Sequence, residues 1–411
     1  KILNLETNEK LDLEITEVKF SDIAWKDDSS GFYYNKYPKP LPENRLSQQS
    51  YDAAIYFADI RTGEEKLFYG QINPEQNYTV SFIGEDKKIL IKVITGSEEE
   101  NFYLFGDSLE TLEPITPINQ ASFNYVHADD EGLFFITNLE ANNYRLVKIL
   151  FADFQMVEVV SEGSFALKGV SFVNNYLIAD YIDHADMKSA IVFFNHSGEQ
   201  LDVTLPESLS GTIGGFQGVG EDSIMFSVTS YTQPVQYFSF DFTNNSLELL
   251  WEEAIPGFNP NDYTEVSTNY ESKDGTMVPI TYSYKNSTKL NKDTPIFLYA
   301  YGGYNISIRP SFTPKYVAWL EMGGVLAVAN IRGGGEFGKA WHNAGRLGTK
   351  QNVFDDFLYA SKFLESNAIG NRKSTVISGR SNGGLLVGAT LIQNPNYFGA
   401  ALPAVGVMDM I

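Results

Sequence analysis

The first 260 or so residues alternate short runs of apolar and polar positions with turn clusters of Asn, Asp and Gly, a pattern typical of β-strands. The turns fall into two interleaved sets, each recurring roughly every 45 residues. Two hairpins per repeat predict four strands per repeat, the unit of a β-propeller blade. The first set lies at Thr7-Asn8, Thr62-Gly63, Gly106-Asp107, Ala152-Asp153, His196 to Gly198 and Asn244-Asn245. The second lies at Asp27 to Gly31, Gly84 to Asp86, Asp129 to Gly132, Asn174-Asn175 and Glu221-Asp222.

This periodicity predicts about five full blades, preceded by a half-blade hairpin at Leu3 to Ile15. A β-sandwich with evenly spaced strands is the alternative interpretation. A propeller that begins within a blade, with Lys1 rather than methionine as its first residue, leads us to expect further sequence upstream.

The pattern changes near residue 265, and we expect a propeller domain at 1–264 and an α/β domain at 265–411. A hairpin around Asp274-Gly275 comes first, and apolar strands then alternate with helical stretches. This order predicts a mostly parallel sheet with helices on both faces. The predicted strands are Pro295 to Tyr301, Val325 to Ile331, Ser374 to Ser378 and Ala400 to Val405, with helices around Phe354 to Leu364 and from Asn382.

Composition excludes several classes of function. With 30 basic and 52 acidic residues, the formal charge is −22, which disfavours binding to nucleic acids and anionic membranes. The longest apolar runs are far shorter than the roughly 18 residues of a membrane span. There is no cysteine, so neither a disulfide nor a catalytic thiolate can form, although this leaves the compartment open.

The segment Gly379-Arg380-Ser381-Asn382-Gly383 fits the pattern G-x-S-x-G between a predicted strand and a predicted helix. This is the context of a nucleophile elbow, in which a tight turn exposes the serine hydroxyl. The glycines leave room for the turn, and Gly384 allows the helix to approach the sheet. The turn also directs the N–H of Asn382 at the carbonyl oxygen under attack.

A second donor to that oxygen is expected from the loop after an earlier strand, and the segment from Tyr299 to Tyr304 occupies that place. A serine nucleophile also needs a histidine oriented by a carboxylate, in the chain order Ser, acid, His. No histidine follows Ser381, and Asp409 comes too early for the usual acid. We therefore interpret the four histidines, at positions 127, 184, 196 and 342, as structural or surface residues and expect the base and acid to be missing from this chain.

The segment from Gly333 to Gly338 also fits a dinucleotide-binding pattern, G-x-G-x-x-G, after a strand. Asp355 and Asp356 follow at a suitable distance, but they fall within a predicted helix rather than at the end of a second strand. We therefore expect no dinucleotide site. We also expect neither a metal nor an organic cofactor, because chemistry at a serine nucleophile needs only a polarised hydroxyl and hydrogen-bond donors.

Several blocks together resemble the prolyl oligopeptidase family of serine peptidases. They are YAYGGYNIS from Tyr299, GGVLAVANIRGGGEFG from Gly323, Trp341-His342, KQNVFDDF from Lys350, GRSNGGLL from Gly379, VGVMDM from Val405, Asn143 to Leu146 and Ser272 to Thr276. The resemblance covers essentially the whole chain and is densest over about the last 140 residues. It implies a seven-bladed propeller that covers an α/β-hydrolase domain and keeps folded proteins out. The activity it implies is hydrolysis of short peptides on the carboxyl side of proline.

On matching positions, the resemblance implies Ser381 as nucleophile and the Asn382 N–H with the Tyr301 hydroxyl as oxyanion hole. Tyr304 and Val407 correspond to part of the apolar pocket for the proline ring. Many relatives have phenylalanine in place of Tyr304, and Arg380 replaces a common glycine. The family's first blades, remaining pocket residues, catalytic Asp and catalytic His have no counterpart here. The resemblance further implies a monomer, in the cytoplasm or, as in some bacterial relatives, the periplasm.

Three alternatives remain open at this stage. A sister peptidase cleaves after basic residues, but usually has alanine after its serine, where this chain has Asn382. A family member that cyclises peptides uses the same residues. In a different class, the chain as given is a peptide-binding module without catalysis, which the absent histidine favours and the intact elbow opposes.

Overall fold

The computed structural model describes residues 2–19, 21–44, 50–95 and 101–408. Lys1, Asp409 and Met410, which entered the sequence arguments, lie outside these residues. By their contacts, the residues divide into two compact units. One unit comprises Lys1–Glu140 and Leu146–Glu158, and the other Ala141–Arg145 and Val159–Ile411.

The first unit contains three four-stranded antiparallel sheets, and neighbouring strands in each sheet follow one another in the chain. The last of these strands runs on to Val160, beyond the end of the unit at Glu158. Their strands are β1 Ile23–Trp25, β2 Gly31–Lys36, β3 Ala54–Asp59 and β4 Glu65–Gly70; β5 Gln76–Ile83, β6 Lys88–Thr95, β7 Asn101–Gly106 and β8 Glu113–Pro114; and β9 Phe123–Ala128, β10 Gly132–Thr137, β11 Arg145–Leu150 and β12 Met156–Val160. The segment predicted as a half-blade hairpin forms an isolated bridge between Leu3 and Lys10.

Two further antiparallel sheets belong to the second unit. One has three strands, β13 Leu167–Val173, β14 Tyr176–Ile182 and β15 Ser189–Phe194, with an isolated bridge from Phe194 to Gln200 in place of a fourth. The other has four, β16 Thr212–Gly218, β17 Ser223–Thr229, β18 Gln236–Asp241 and β19 Ser246–Glu252. The predicted turn clusters from Asp27 onward lie at strand ends or between strands, and the four-strand repeat is thereby confirmed.

After β19 the architecture changes to one six-stranded mixed sheet in the order β20-β21-β23-β22-β24-β25. Its strands are β20 Tyr263–Glu271, β21 Met277–Lys285, β22 Ile296–Tyr299, β23 Val325–Ala329, β24 Thr375–Arg380 and β25 Ala400–Ala404. The hairpin β20–β21 is antiparallel and β21 pairs antiparallel with β23, whereas β23, β22, β24 and β25 run parallel. The domain boundary at 264/265 remains a prediction.

The four α-helices of the described residues all follow β22 in the chain: α1 Pro314–Glu321, α2 Gly338–Asn343, α3 Gln351–Ser366 and α4 Asn382–Gln393. Short 3₁₀ turns lie at Pro42–Asn44, Leu109–Thr111, Pro260–Asp262 and Leu347–Thr349. No helix among the described residues is long and apolar enough to cross a membrane.

Alternating side chains of β23 explain why helices cover both faces of this sheet. Val325, Ala327 and Ala329 pack in the core that includes residues of α3 and α4. Leu326 and Val328 point the other way, into the core that includes residues of α1. Since successive strand residues face opposite sides, a strand of five buried residues needs a cover on each side.

An ion-paired cluster fixes the sheet to α3. Arg332 lies just after β23 and is buried, and its guanidinium donates to Asp356 at 2.6 and 2.9 Å and to Asp274 at 2.6 Å. The Ser272 hydroxyl donates to the same carboxylate, at 2.5 Å from Asp356 Oδ1. Asp356 thus joins two segments of the chain that are far apart in sequence, which gives this aspartate of the dinucleotide-like pattern a structural role.

Candidate active site

Ser381 stands where β24 gives way to α4. Its backbone has φ 58° and ψ −116°, a sparsely populated conformation that costs free energy in any residue other than glycine. Three backbone hydrogen bonds hold it there: the Ser381 N–H donates to Ala404 O at 2.9 Å, and Ser381 O accepts from Gly384 N at 2.8 Å and from Leu385 N at 3.1 Å. The side chain is exposed. The observed turn is therefore a strained strand-to-helix elbow that presents a hydroxyl to solvent.

Close packing behind the elbow explains the glycine at 384. A Cβ atom on Gly384 would lie 2.6 Å from Ala404 O of β25, closer than side chains approach a carbonyl. Its absence lets α4 lie directly against the neighbouring strand, as the sequence predicts.

Tyr301 faces the serine from the loop after β22. Burial raises the pKa of Tyr301, and the nearby Ser381 side chain partly offsets this rise. The phenol consequently keeps its proton near neutral pH and can donate it in a hydrogen bond to an oxygen held at Ser381.

Asn382 begins α4 and is buried. The N–H groups in the first turn of a helix have no partner within that helix, so the Asn382 N–H is available to an incoming oxygen atom. Its side chain has a separate use, because Nδ2 donates to Tyr301 O at 2.7 Å. The residue after the nucleophile is thus tied directly to the loop that carries the second donor.

Lys350, which the sequence analysis did not single out as a site residue, joins the same group. It precedes α3, and its Nζ donates to Gly302 O at 2.9 Å and to Asn382 Oδ1 at 3.3 Å. Burial lowers the pKa of Lys350 to about 8. No local sequence signal marks this lysine, since its partners lie 48 and 32 positions away along the chain.

The two residues assigned to the proline pocket are both exposed. Tyr304 follows the Tyr301 loop, close enough to Tyr301 to influence its titration, and is 71% exposed. Val407 lies beyond β25 and is 54% exposed. The apolar pocket around them stays a prediction.

The histidines of the second unit are engaged elsewhere. The buried His342 ring contacts Gly333 O at 2.6 Å and Asn305 N at 2.9 Å. His184 contacts Glu336 O at 3.2 Å and packs against Phe337. His196 packs edge-on against Phe172. The other histidine, His127 of the first unit, packs against Phe134. These contacts agree with the structural roles expected from the sequence.

Comparison with known proteins identifies the family. Residues 1–253 match the family model described as "Prolyl oligopeptidase, N-terminal beta-propeller domain", and residues 310–411 match "Prolyl oligopeptidase family". This chain belongs to the prolyl oligopeptidase family. The sheets before β20 accordingly form β-propeller blades, and the mixed sheet with its helices belongs to an α/β-hydrolase domain, as the sequence predicts.

Individual relatives agree with this assignment. The prolyl endopeptidase of Elizabethkingia miricola is 34% identical over all of this chain, which spans 58% of that protein. A dual function macrocyclase-peptidase of Amanita bisporigera is 30% identical over 96% of the chain and 56% of its own length. A solved structure from a study of two prolyl endopeptidases and their inter-domain dynamics matches with a TM-score of 0.87 at 30% identity, covering the whole chain and 61% of that protein. The chain thus spans less than two thirds of the relatives it matches.

Proposed function

We propose that the protein containing this chain is a serine endopeptidase that cleaves short peptides on the carboxyl side of proline. The observation that carries the proposal is the strained elbow at Ser381, which the 2.7 Å hydrogen bond from Asn382 Nδ2 to Tyr301 O joins to the loop carrying Tyr301. It brings a nucleophile and a donor for the developing oxyanion to one point. The relatives named prolyl endopeptidase support the preference for proline.

In the proposed reaction, Ser381 Oγ attacks the carbonyl carbon that follows the proline ring, and its proton passes to a general base. The carbonyl oxygen becomes an oxyanion that accepts hydrogen bonds from the Asn382 N–H and the Tyr301 hydroxyl. The carbon–nitrogen bond then breaks, the leaving amine takes the proton, and an acyl-enzyme forms on Ser381. In the second step the base takes a proton from water, and the water oxygen attacks the acyl carbon. The bond to Ser381 Oγ then breaks, Oγ takes the proton back, and the peptide acid is released.

The general base and its acid partner are groups outside residues 1–411 in this proposal, because no histidine follows Ser381 in the chain. The 411-residue chain alone is then inactive. Short proline-containing peptides are the proposed partners, with Tyr304 and Val407 lining the pocket for the proline ring. The family resemblance also supports a monomer in the cytoplasm, which gel filtration and cell fractionation test.

The deciding experiment measures hydrolysis of a blocked Gly-Pro fluorogenic peptide by the full-length gene product and by residues 1–411. Ser381→Ala in each is the control. We expect activity only in the full-length protein, and a loss on the order of a millionfold on substitution of Ser381. Cleavage after arginine but not proline would replace the proline assignment with the basic-specific one. Peptide binding without any cleavage would instead establish a binding module.

A second candidate activity is transfer of the acyl group to the amino terminus of the same peptide, giving a cyclic product. The 30% identity to a dual function macrocyclase-peptidase supports it. The acyl-enzyme is common to both reactions, and an amine replaces water in the second step. Mass spectrometry of the products from a peptide of about 25 residues distinguishes them, because cyclisation retains the cleaved segment with one water less than the linear acid.

A further inference from the structure

Lys350 links the two halves of the proposed oxyanion site with a single ammonium group. Through Gly302 O it holds the loop that carries Tyr301, and through Asn382 Oδ1 it holds the residue after the nucleophile. Within the part of the chain that the structure describes, Lys350 is the lysine with hydrogen bonds to both the Tyr301 loop and the elbow.

The loop is held at two consecutive carbonyl groups. Tyr301 O accepts from Asn382 Nδ2 at 2.7 Å, and Gly302 O accepts from Lys350 Nζ at 2.9 Å. A hydrogen bond to a charged donor is stronger than one to a neutral donor, so the Lys350 contact contributes much of this restraint.

Packing leaves the loop little freedom to relax around these bonds. Gly302 is buried with φ 64°, a conformation that glycine adopts without strain. A Cβ atom there would lie 2.6 Å from Val353 and 2.7 Å from Ile331, which shows how closely the backbone approaches the core. Val353 is on α3, which starts directly after Lys350. The lysine and one of the side chains that pack against Gly302 therefore belong to the same helical segment.

We propose that Lys350 is a positioning residue for acyl transfer, which holds the Tyr301 loop against the elbow so that both oxyanion donors meet at one point. This inference rests on the proposed function. Lys350 donates to protein oxygens and acts on the reaction through Tyr301 and Asn382. Its loss lets the Tyr301 hydroxyl move away from the oxyanion while peptide binding is unaffected.

The test uses the full-length gene product with Lys350→Met and, as matched control, Lys362→Met on the exposed side of α3. We expect Lys350→Met to lower kcat about 100-fold with KM within about twofold, because a misplacement near 1 Å costs about that much. The control should leave both constants unchanged. A rise in KM with unchanged kcat would overturn the proposal.

A double-mutant cycle with Tyr301→Phe separates positioning from general destabilisation. If Lys350 acts through Tyr301, adding Lys350→Met to Tyr301→Phe lowers kcat by much less than 100-fold. Full additivity of the two losses would refute the coupling. Should Lys350→Met not fold, Lys350→Gln, which keeps an N–H donor, is used in the same cycle.

Amide hydrogen exchange decides the question independently of activity. In Lys350→Met, we expect about tenfold lower protection in the peptides covering 299–307 and 379–386, with the rest of the α/β domain unchanged. Unaltered protection there would contradict the proposal. If the wild-type protein hydrolyses no peptide, the proposed function fails, and the exchange result still decides the positioning by Lys350.

Discussion

The side-chain amide of Asn382 donates to the backbone carbonyl of Tyr301 at 2.7 Å, so the two proposed oxyanion donors are mechanically joined. One residue thereby has two separate uses, its backbone N–H toward substrate and its side chain toward the loop. Substitution of the side chain alone distinguishes them, since it leaves the N–H in place.

Asn382→Ala should lower kcat between about 5-fold and 150-fold. It removes a buried hydrogen bond and leaves Tyr301 O without its partner, a loss of about 1–3 kcal/mol. Steady-state hydrolysis by the full-length protein measures it. The control is Asn394→Ala at the other end of α4, where the side chain caps the helix through Thr390 O. Equal losses in both variants would contradict a specific use of Asn382.

Tyr301→Phe should lower kcat about 100- to 1000-fold with little change in KM, because the hydroxyl interacts with an oxygen that becomes charged only in the transition state. Tyr299→Phe, two residues earlier on β22, is the control, and its activity should stay near wild type. A large rise in KM for Tyr301→Phe would indicate that the hydroxyl binds substrate in the ground state.

Asp356→Asn should destabilise the α/β domain by about 3–5 kcal/mol, since it leaves the buried Arg332 guanidinium without its main carboxylate. Asp355→Asn is its matched control on the same helix. Asp355 pairs with the exposed Lys273, and loss of such a surface pair costs about 1 kcal/mol or less. Denaturant unfolding followed by tryptophan fluorescence compares the two, and similar midpoints would contradict the importance of the buried pair.

Acid sensitivity of the β20–β21 hairpin is expected from Asp274. The hydrogen bond from the Arg332 guanidinium lowers the pKa of this carboxyl well below its usual 3.8. The stabilisation that the ionised Asp274 carboxylate contributes is therefore fully present above about pH 4–5. It is lost as the pH falls through the lowered pKa that Asp274 has in the folded protein. The Tm difference between wild type and Asp274→Asn should be constant from pH 5 to 7 and shrink below pH 4. A difference that grows toward low pH would contradict this assignment.

The sequence by itself determined the strands, the turns and the elbow, because these depend on neighbouring residues. Alternation with period two and turn residues such as Asn174-Asn175 placed the hairpins, and the glycines around Ser381 marked the turn. Strand limits differ from the predictions by a few residues, as for Pro295 to Tyr301 against β22 Ile296–Tyr299. The fourth full strand predicted after β15 is the exception, and only a bridge forms there.

Only the tertiary structure decided which distant groups meet. The bonds of Lys350 to Gly302 and Asn382, and of Arg332 to Asp274 and Asp356, join residues 24 to 58 positions apart. No local propensity encodes such pairs, since they form when the parallel strands align their ends at one edge of the sheet. The sequence thus identifies the nucleophile, and the fold selects the residues that hold its surroundings in place.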